Sequence, residues 1–99
     1  MTYPLVILPN GQTDIDDAWA WYEGQQVGLG TRFLKRLDEA FARLRLNPYL
    51  NAARKRNVRI ATIKRFPYLI VYRMEQRRIV VYALIHTSRG PAFWQRKLP

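Results

Sequence analysis

The chain has no cysteine, only one histidine, no long apolar run and no lysine or arginine before position 32. The first three absences each remove a class of function. Without cysteine there is no disulfide and no thiolate metal site. His86 alone cannot build a histidine-based metal centre. The longest apolar run, Ile79–Ile85, is far shorter than the roughly 20 residues a bilayer-spanning helix needs. Neither a phosphate loop of the GxxxxGK type nor a dinucleotide-binding glycine pattern is present. Ser88 lacks a glycine-elbow context. Asp14, Asp16 and Asp17 stand too close in sequence to flank a substrate as a separated acid and base. No metal, no cofactor, no metalloenzyme and no serine hydrolase is therefore expected. Residues 1–8 show no basic segment and no small-residue cleavage site, so no signal peptide is expected. A cytoplasmic location without membrane association fits these features.

What is present is positive charge. Seventeen lysines and arginines face seven acids, a formal +10 on 99 residues. The distribution is lopsided. Residues 1–31 carry four acids and no base, a net of −4, and residues 32–99 carry the rest, a net of +14. Charge of this density repels itself unless a partner neutralises it. Nucleic acid, an acidic protein segment or an anionic surface could each do so.

The length suits one domain spanning residues 1–99. Leu5–Leu8 reads as an edge or near-edge strand, ended by a Pro9-Asn10-Gly11 turn. Thr13 or Asp14 can cap a helix in which Ile15, Ala18, Trp19 and Tyr22 recur at helical spacing. Gly24 and Val27-Gly28-Leu29-Gly30 end it. A second helix is expected over 31–46, with Phe33, Leu37, Phe41 and Leu44 as its buried stripe and Asn47-Pro48 as its stop. Residues 49–57 read as a loop with a basic cluster, Arg54-Lys55-Arg56. Strands are expected at about 58–64, 68–74 and 78–86, with Gln76-Arg77 as a hairpin tip. The resulting class is α+β, in the order β-α-α-β-β-β. A helix hairpin packs on one face of a small antiparallel sheet that Leu5–Leu8 joins.

Alternation along these strands puts Leu69 and Val71 on one side, with Tyr68, Ile70 and Tyr72 on the other. In the last strand it separates Ile79, Val81, Ala83 and Ile85 from Val80, Tyr82 and Leu84. The sheet is thus apolar on both sides, and two helices can cover only one. The other side is either an arginine-rimmed binding surface or a concave face that the chain closes with its own tail and loop.

The residues able to carry chemistry are basic and aromatic. Arginine forks bind phosphate and carboxylate bidentately, and rings stack on bases. A metal-free ribonuclease needs a proton shuttle and cations for the phosphorane charge. On that reading the catalytic candidates are Arg89, His86, Arg59 and Lys64. On a binding reading, Arg65, Arg73, Arg89, Trp94, Tyr68 and Tyr72 form the contact surface. A lone histidine at a strand end, and tyrosines within strands, also serve as ordinary packing residues.

Three stretches, DIDDAWAWYEGQQVGLGTRFLKRLDEAFARLRLNP (14–48), VRIATIKRFPYLIVYRMEQRRIVVYALIH (58–86) and SRGPAFW (88–94), together resemble the RelE/ParE superfamily of bacterial type II toxins. The resemblance implies a small, basic, cytoplasmic toxin of a plasmid-stabilisation-type module. It also implies a cognate antitoxin, in complex with which the toxin would oligomerise. In the RelE branch, strand-borne lysine and arginine and a C-terminal tyrosine or histidine cut mRNA on the ribosome. Here Arg89 matches the arginine after the last strand, and Arg59 or Lys64 stands for the strand lysines. Leu69, however, occupies the place of the branch's strand arginine, and no tyrosine follows Tyr82. The FPY strand and the FW tail are closer to the ParE branch, whose members poison DNA gyrase and are not enzymes. The resemblance therefore implies a gyrase-directed binding protein. Its alternatives are a ribosome-dependent, metal-independent mRNA endoribonuclease and a non-toxic nucleic-acid-binding module.

Overall fold

The computed structural model describes residues 2–89. Strand β1 (Leu5–Ile7) leads into helices α1 (Pro9–Gln25) and α2 (Leu29–Leu46). Two short 3-10 turns follow, at Pro48–Leu50 and Lys55–Asn57. Strands β2 (Arg59–Ile63), β3 (Phe66–Glu75) and β4 (Arg78–His86) complete the described chain. The expected α+β order is observed. The sheet is mixed, in the order β1-β4-β3-β2, with β1 parallel to β4 and the two hairpins antiparallel.

Helix α1 starts earlier than its acidic residues suggest. Leu8 is extended, Pro9 takes the first helical position, and Gln12 N–H closes the first turn on Leu8 O at 2.9 Å. Proline fits there because its missing N–H would have no helical partner in any case. Asp14 is consequently a mid-helix residue rather than a cap. Past the end of β1, Asp14 accepts the Leu84 N–H through Oδ2 at 3.0 Å, completing the hydrogen bonding of β4.

The turn between the helices explains the glycines. Gly28 has φ 89°, a left-handed conformation that only glycine adopts cheaply. Glu23 reaches across the turn, and its carboxylate accepts the Gly28 and Gly30 N–H groups at 3.0 Å each. It thereby satisfies donors at the start of α2 and places negative charge at the positive end of the helix dipole. A Cβ on Gly30 would stand 2.8 Å from Trp19 Nε1 and 2.9 Å from Glu23 Oε1. Trp19, Glu23, Gly28 and Gly30 thus form one interlocked corner.

On the helix side of the sheet, Phe33, Leu37, Ala40 and Leu44 of α2 meet Ala61, Ile63, Ile70 and Tyr72, all buried. Phe41 is only partly buried. Tyr22, Phe33, Phe66 and Tyr68 form a ring cluster with centroids 5.0–6.1 Å apart.

The opposite face departs from both the simple alternation and the bare-patch reading. Val71 pairs with Ala83 but Tyr72 pairs with Val81, so Tyr82 is an extra residue in β4. This β-bulge reverses the phase of the strand. Ile79, Val81 and Leu84 face the helices, whereas Val80, Tyr82, Ala83 and Ile85 face away. The second face is itself buried, with Val58, Val71 and Ala83 at 0% exposure. Arg73 lies over the Tyr82 ring at 5.1 Å, and the Tyr82 hydroxyl donates to Glu75. The hairpin tip Gln76-Arg77 takes positive φ at both residues, 53° and 63°, without the usual asparagine or glycine.

Three substitutions test this packing. Leu37→Ala empties a fully packed site and should cost about 2–5 kcal/mol in denaturant unfolding. Glu23→Ala removes charge-assisted bonds from the helix corner and should cost about 1–3 kcal/mol. Gly30→Ala should displace Trp19, lowering the melting temperature and shifting tryptophan fluorescence. Unchanged stability in both Glu23→Ala and Gly30→Ala would show that the corner does not hold the helix hairpin.

Candidate functional site

The C-terminal end of β4 carries His86 beside Tyr68 of β3, its cross-strand partner. Because the bulge at Tyr82 reverses the strand, His86 emerges on the helix side, where its ring meets the Tyr68 ring edge-on at 5.3 Å. The chain then turns, with Thr87 N–H bonded to Pro67 O and Arg89 N–H bonded to His86 O. Helix α1 supplies the other wall through Asp14, Asp17 and Trp21, which its 3.6-residue repeat places on one side. These groups enclose a groove of about 260 Å³ that Arg89 also lines. Trp21 is 59% exposed at its rim and packs edge-on against Tyr22.

The histidine has a defined hydrogen-bonding role. Its Nδ1 accepts the Ser88 N–H at 3.1 Å and lies 2.8 Å from Ser88 Oγ. An Nδ1 that accepts a backbone N–H has no proton, so the neutral ring carries its proton on Nε2. His86 therefore offers a donor to the groove. To act as a base through Nε2 it would first have to change tautomer and release the Ser88 N–H.

The other sequence candidates lie elsewhere. Arg59 sits over the Tyr49 ring at 5.1 Å and donates to Asn51 O, so it pins the segment before β2. Lys64 and Arg65 form the exposed β2–β3 hairpin tip. Arg73 belongs to the other face of the sheet, against Tyr82. Tyr72 is fully buried, donating its hydroxyl to Pro48 O at 2.7 Å and accepting from Asn51 Nδ2 at 3.1 Å. Its ring has no surface to offer a partner. Trp94 lies outside the described residues. The groove thus unites Tyr68, His86 and Arg89, and separates them from Arg59, Lys64, Arg65, Arg73 and Tyr72. Sequence reasoning missed Asp14, Asp17 and Trp21 as groove residues. Their i, i+3, i+7 spacing was the available signal, obscured by treating the aspartates as a helix start. Among the described residues no cluster of histidine and carboxylate groups could hold a metal ion.

Burial sets the proton affinity of the tyrosine behind the groove. Tyr22 is pushed up to about 12, first by desolvation and then by the neighbouring Tyr68. A tyrosine whose folded pKa is raised stabilises the fold fully below its unfolded value of 10, and that contribution disappears as pH rises toward 12. Tyr22→Phe should therefore remove a late component of the tyrosinate absorbance titration and reduce the loss of stability between pH 10 and pH 12. An identical titration curve in the variant would contradict this assignment.

Three comparisons bear on this fold and groove. The family described as "ParE toxin of type II toxin-antitoxin system, parDE" matches residues 5–91. Among solved structures, a chain of the chromosomal ParDE toxin-antitoxin system from P. aeruginosa superimposes with a TM-score of 0.72. That match has 18% identity and covers 86% of this chain and 96% of the other. Comparison with curated proteins gives no significant match. At that identity the structural likeness carries the fold alone, but the family match spans nearly the whole chain, from β1 past the groove residues. The chain belongs to the ParE toxin family of type II toxin-antitoxin systems.

Proposed function

We propose that this chain acts by binding a protein target, with DNA gyrase the leading candidate, and that a cognate antitoxin neutralises it. The observation that carries the reading is the make-up of the groove. It joins Trp21, Tyr68, His86 and Arg89 to the carboxylates of Asp14 and Asp17. Tryptophan, tyrosine and arginine dominate the binding energy of protein interfaces. Two carboxylates in the recess oppose an RNA phosphate. The cations that phosphoryl cleavage would need stand apart, since Arg59 is engaged with Tyr49 and Asn51 and Arg73 lies on the other face. The Nδ1 of His86 is occupied by the Ser88 N–H. These features favour recognition over catalysis.

A supercoiling assay with purified gyrase, run beside primer extension on mRNA from induced cells, tests the reading. Growth arrest and stoichiometric gyrase inhibition are expected, without discrete mRNA cuts at the ribosomal A site. Trp21→Ala and Arg89→Ala should each weaken inhibition about tenfold or more, the scale of an interface hot spot, with the melting temperature preserved. Both side chains are exposed. A-site cleavage abolished by His86→Ala would instead establish an endoribonuclease. Steeply salt-dependent nucleic-acid binding without growth arrest would establish a non-toxic binding module.

A further inference from the structure

A recess of about 160 Å³ lies between the last turns of α2 and strand β2. Its polar lining is Arg43, Asn47, Asn51 and Thr62, and the rest of its lining is uncharged. Strand β2 is the outer strand of the sheet on this side. Chain length fixes what stands beside the recess. Arg54 follows Asn51 by three residues and Lys64 follows Thr62 by two, so their Cα atoms lie within about 11 and 7 Å of those lining residues.

The edge is positive without interruption. Residues 40–74 carry nine lysines and arginines and no acid. Among the described residues no ion pair engages Arg43, Arg54, Lys55 or Lys64. The helix dipole accounts for Arg43, in the last turn of α2, but for neither Arg54 nor Lys64. The turn Arg54-Lys55-Arg56 is also costly to build. Arg56 holds a left-handed φ of 62° and Asn57 follows at 59°. Three backbone bonds fix it: Arg54 N–H to Val58 O at 2.7 Å, Asn57 N–H to Arg54 O at 3.1 Å and Val58 N–H to Lys55 O at 3.3 Å. Its backbone is thus ordered in advance, which lowers the entropy cost of binding there.

We infer that this edge binds the phosphate backbone of duplex DNA. One phosphate enters the recess, where Arg43, Asn47, Asn51 and Thr62 supply N–H and O–H donors. Arg54, Lys55 and Lys64 meet the phosphates to either side. Donors without a carboxylate select an oxyanion, and the continuous positive edge selects a polyanion. The recess is smaller than the roughly 300–1,000 Å³ of ligand clefts, which suits one phosphate group. Tyr49 is already engaged, with Arg59 over its ring at 5.1 Å and the Tyr3 ring edge-on at 5.8 Å. It offers no platform for unpaired bases, so the contact is to a duplex backbone. The choice of DNA over RNA rests on the gyrase reading, because gyrase acts on duplex DNA. The site itself shares no residue with the groove at His86.

The test uses the purified full-length chain, without gyrase, and short fluorescein-labelled DNA duplexes of two unrelated sequences. Fluorescence anisotropy should give a Kd of about 10⁻⁶–10⁻⁴ M at physiological salt, equal for the two sequences. Log affinity should fall linearly with log salt concentration. Arg43→Gln should flatten that slope by about 1, and Arg43→Gln with Arg54→Gln and Lys55→Gln by about 3. Arg32→Gln is the control, because it removes the same charge from the same helix about 16 Å away along the axis. It should leave the slope unchanged. All four residues are exposed, so the melting temperature should be preserved. An equal effect of Arg32→Gln would show attraction by net charge alone and overturn the site, as would an unchanged slope in the triple variant. Tighter binding of duplex RNA or of single-stranded DNA, or displacement of the duplex by a polyglutamate peptide of equal charge, would overturn the occupant. Failure of the chain to inhibit gyrase would overturn the target assignment and leave a measured duplex affinity standing.

Discussion

Strand β4 is the constraint on which the rest of the structure depends. It pairs with β1 on one side and β3 on the other, and every residue from Ile79 to Ile85 is buried. A strand buried on both faces has no polar face with which to fix its register, so the register must come from elsewhere. Here it comes from three local devices. The extra residue Tyr82 reverses the phase, the Tyr82 hydroxyl is anchored on Glu75, and Asp14 accepts the Leu84 N–H beyond the end of β1. Without the bulge, Leu84 and His86 would turn away from α1 while Ala83 and Ile85 faced it. The groove exists because the strand is irregular at one position.

The helix corner is the second fixed point, and it relates directly to the first. Glu23 ties the end of α1 to the start of α2, which sets how Tyr22 and Phe33 meet Phe66 and Tyr68. That cluster forms the wall between the groove and a recess at the start of α2. On one side lie His86 and Arg89, and on the other lie Arg32, Lys35, Arg36 and Arg65. A change at the corner therefore reaches both surfaces through packing alone. The resemblance carried by WYE and GLG has its physical basis in this corner, because the glutamate and the glycines are parts of one contact.

Much of the architecture was legible in the sequence because hydrophobic period determines it. The stripe of α2 and the three C-terminal strands follow from spacing, and the last strand matches its expected range at both ends. The beginning of α1 was hidden because Pro9-Asn10-Gly11 carries turn residues that a first helical turn also accepts. The bulge was hidden because β4 is apolar throughout, so a shift by one residue exchanges one hydrophobic side chain for another. That single ambiguity misplaced Ala83, Leu84 and Ile85. Tyr72 and Arg73 showed the same limit from the other direction. Aromatic and basic residues in a strand suggest a contact surface, yet one completes the core through Pro48 O and Asn51, and the other rests on Tyr82.

The acids clarify what the excess of positive charge is for. Four of the seven carboxylates have neutral partners within the described chain: Asp14 receives the Leu84 N–H, Glu23 the Gly28 and Gly30 N–H groups, Glu75 the Tyr82 hydroxyl, and Asp16 the Gln12 side-chain amide. The one carboxylate–guanidinium pair among the described residues is Arg36 with Glu39, partly exposed and only three residues apart. Exposed pairs of that kind contribute about 0–1 kcal/mol. The fold therefore uses its few negative charges to complete hydrogen bonding at strand and helix ends, where a charged acceptor is worth more than at the surface. Among the described residues no ion pair engages Arg32 or Lys35 of α2, or Lys64 or Arg65 of the β2–β3 hairpin. Their mutual repulsion opposes folding, and an external anion would relieve it. The positive charge of this chain is thus a property of its surfaces of contact, while its negative charge is a property of its architecture.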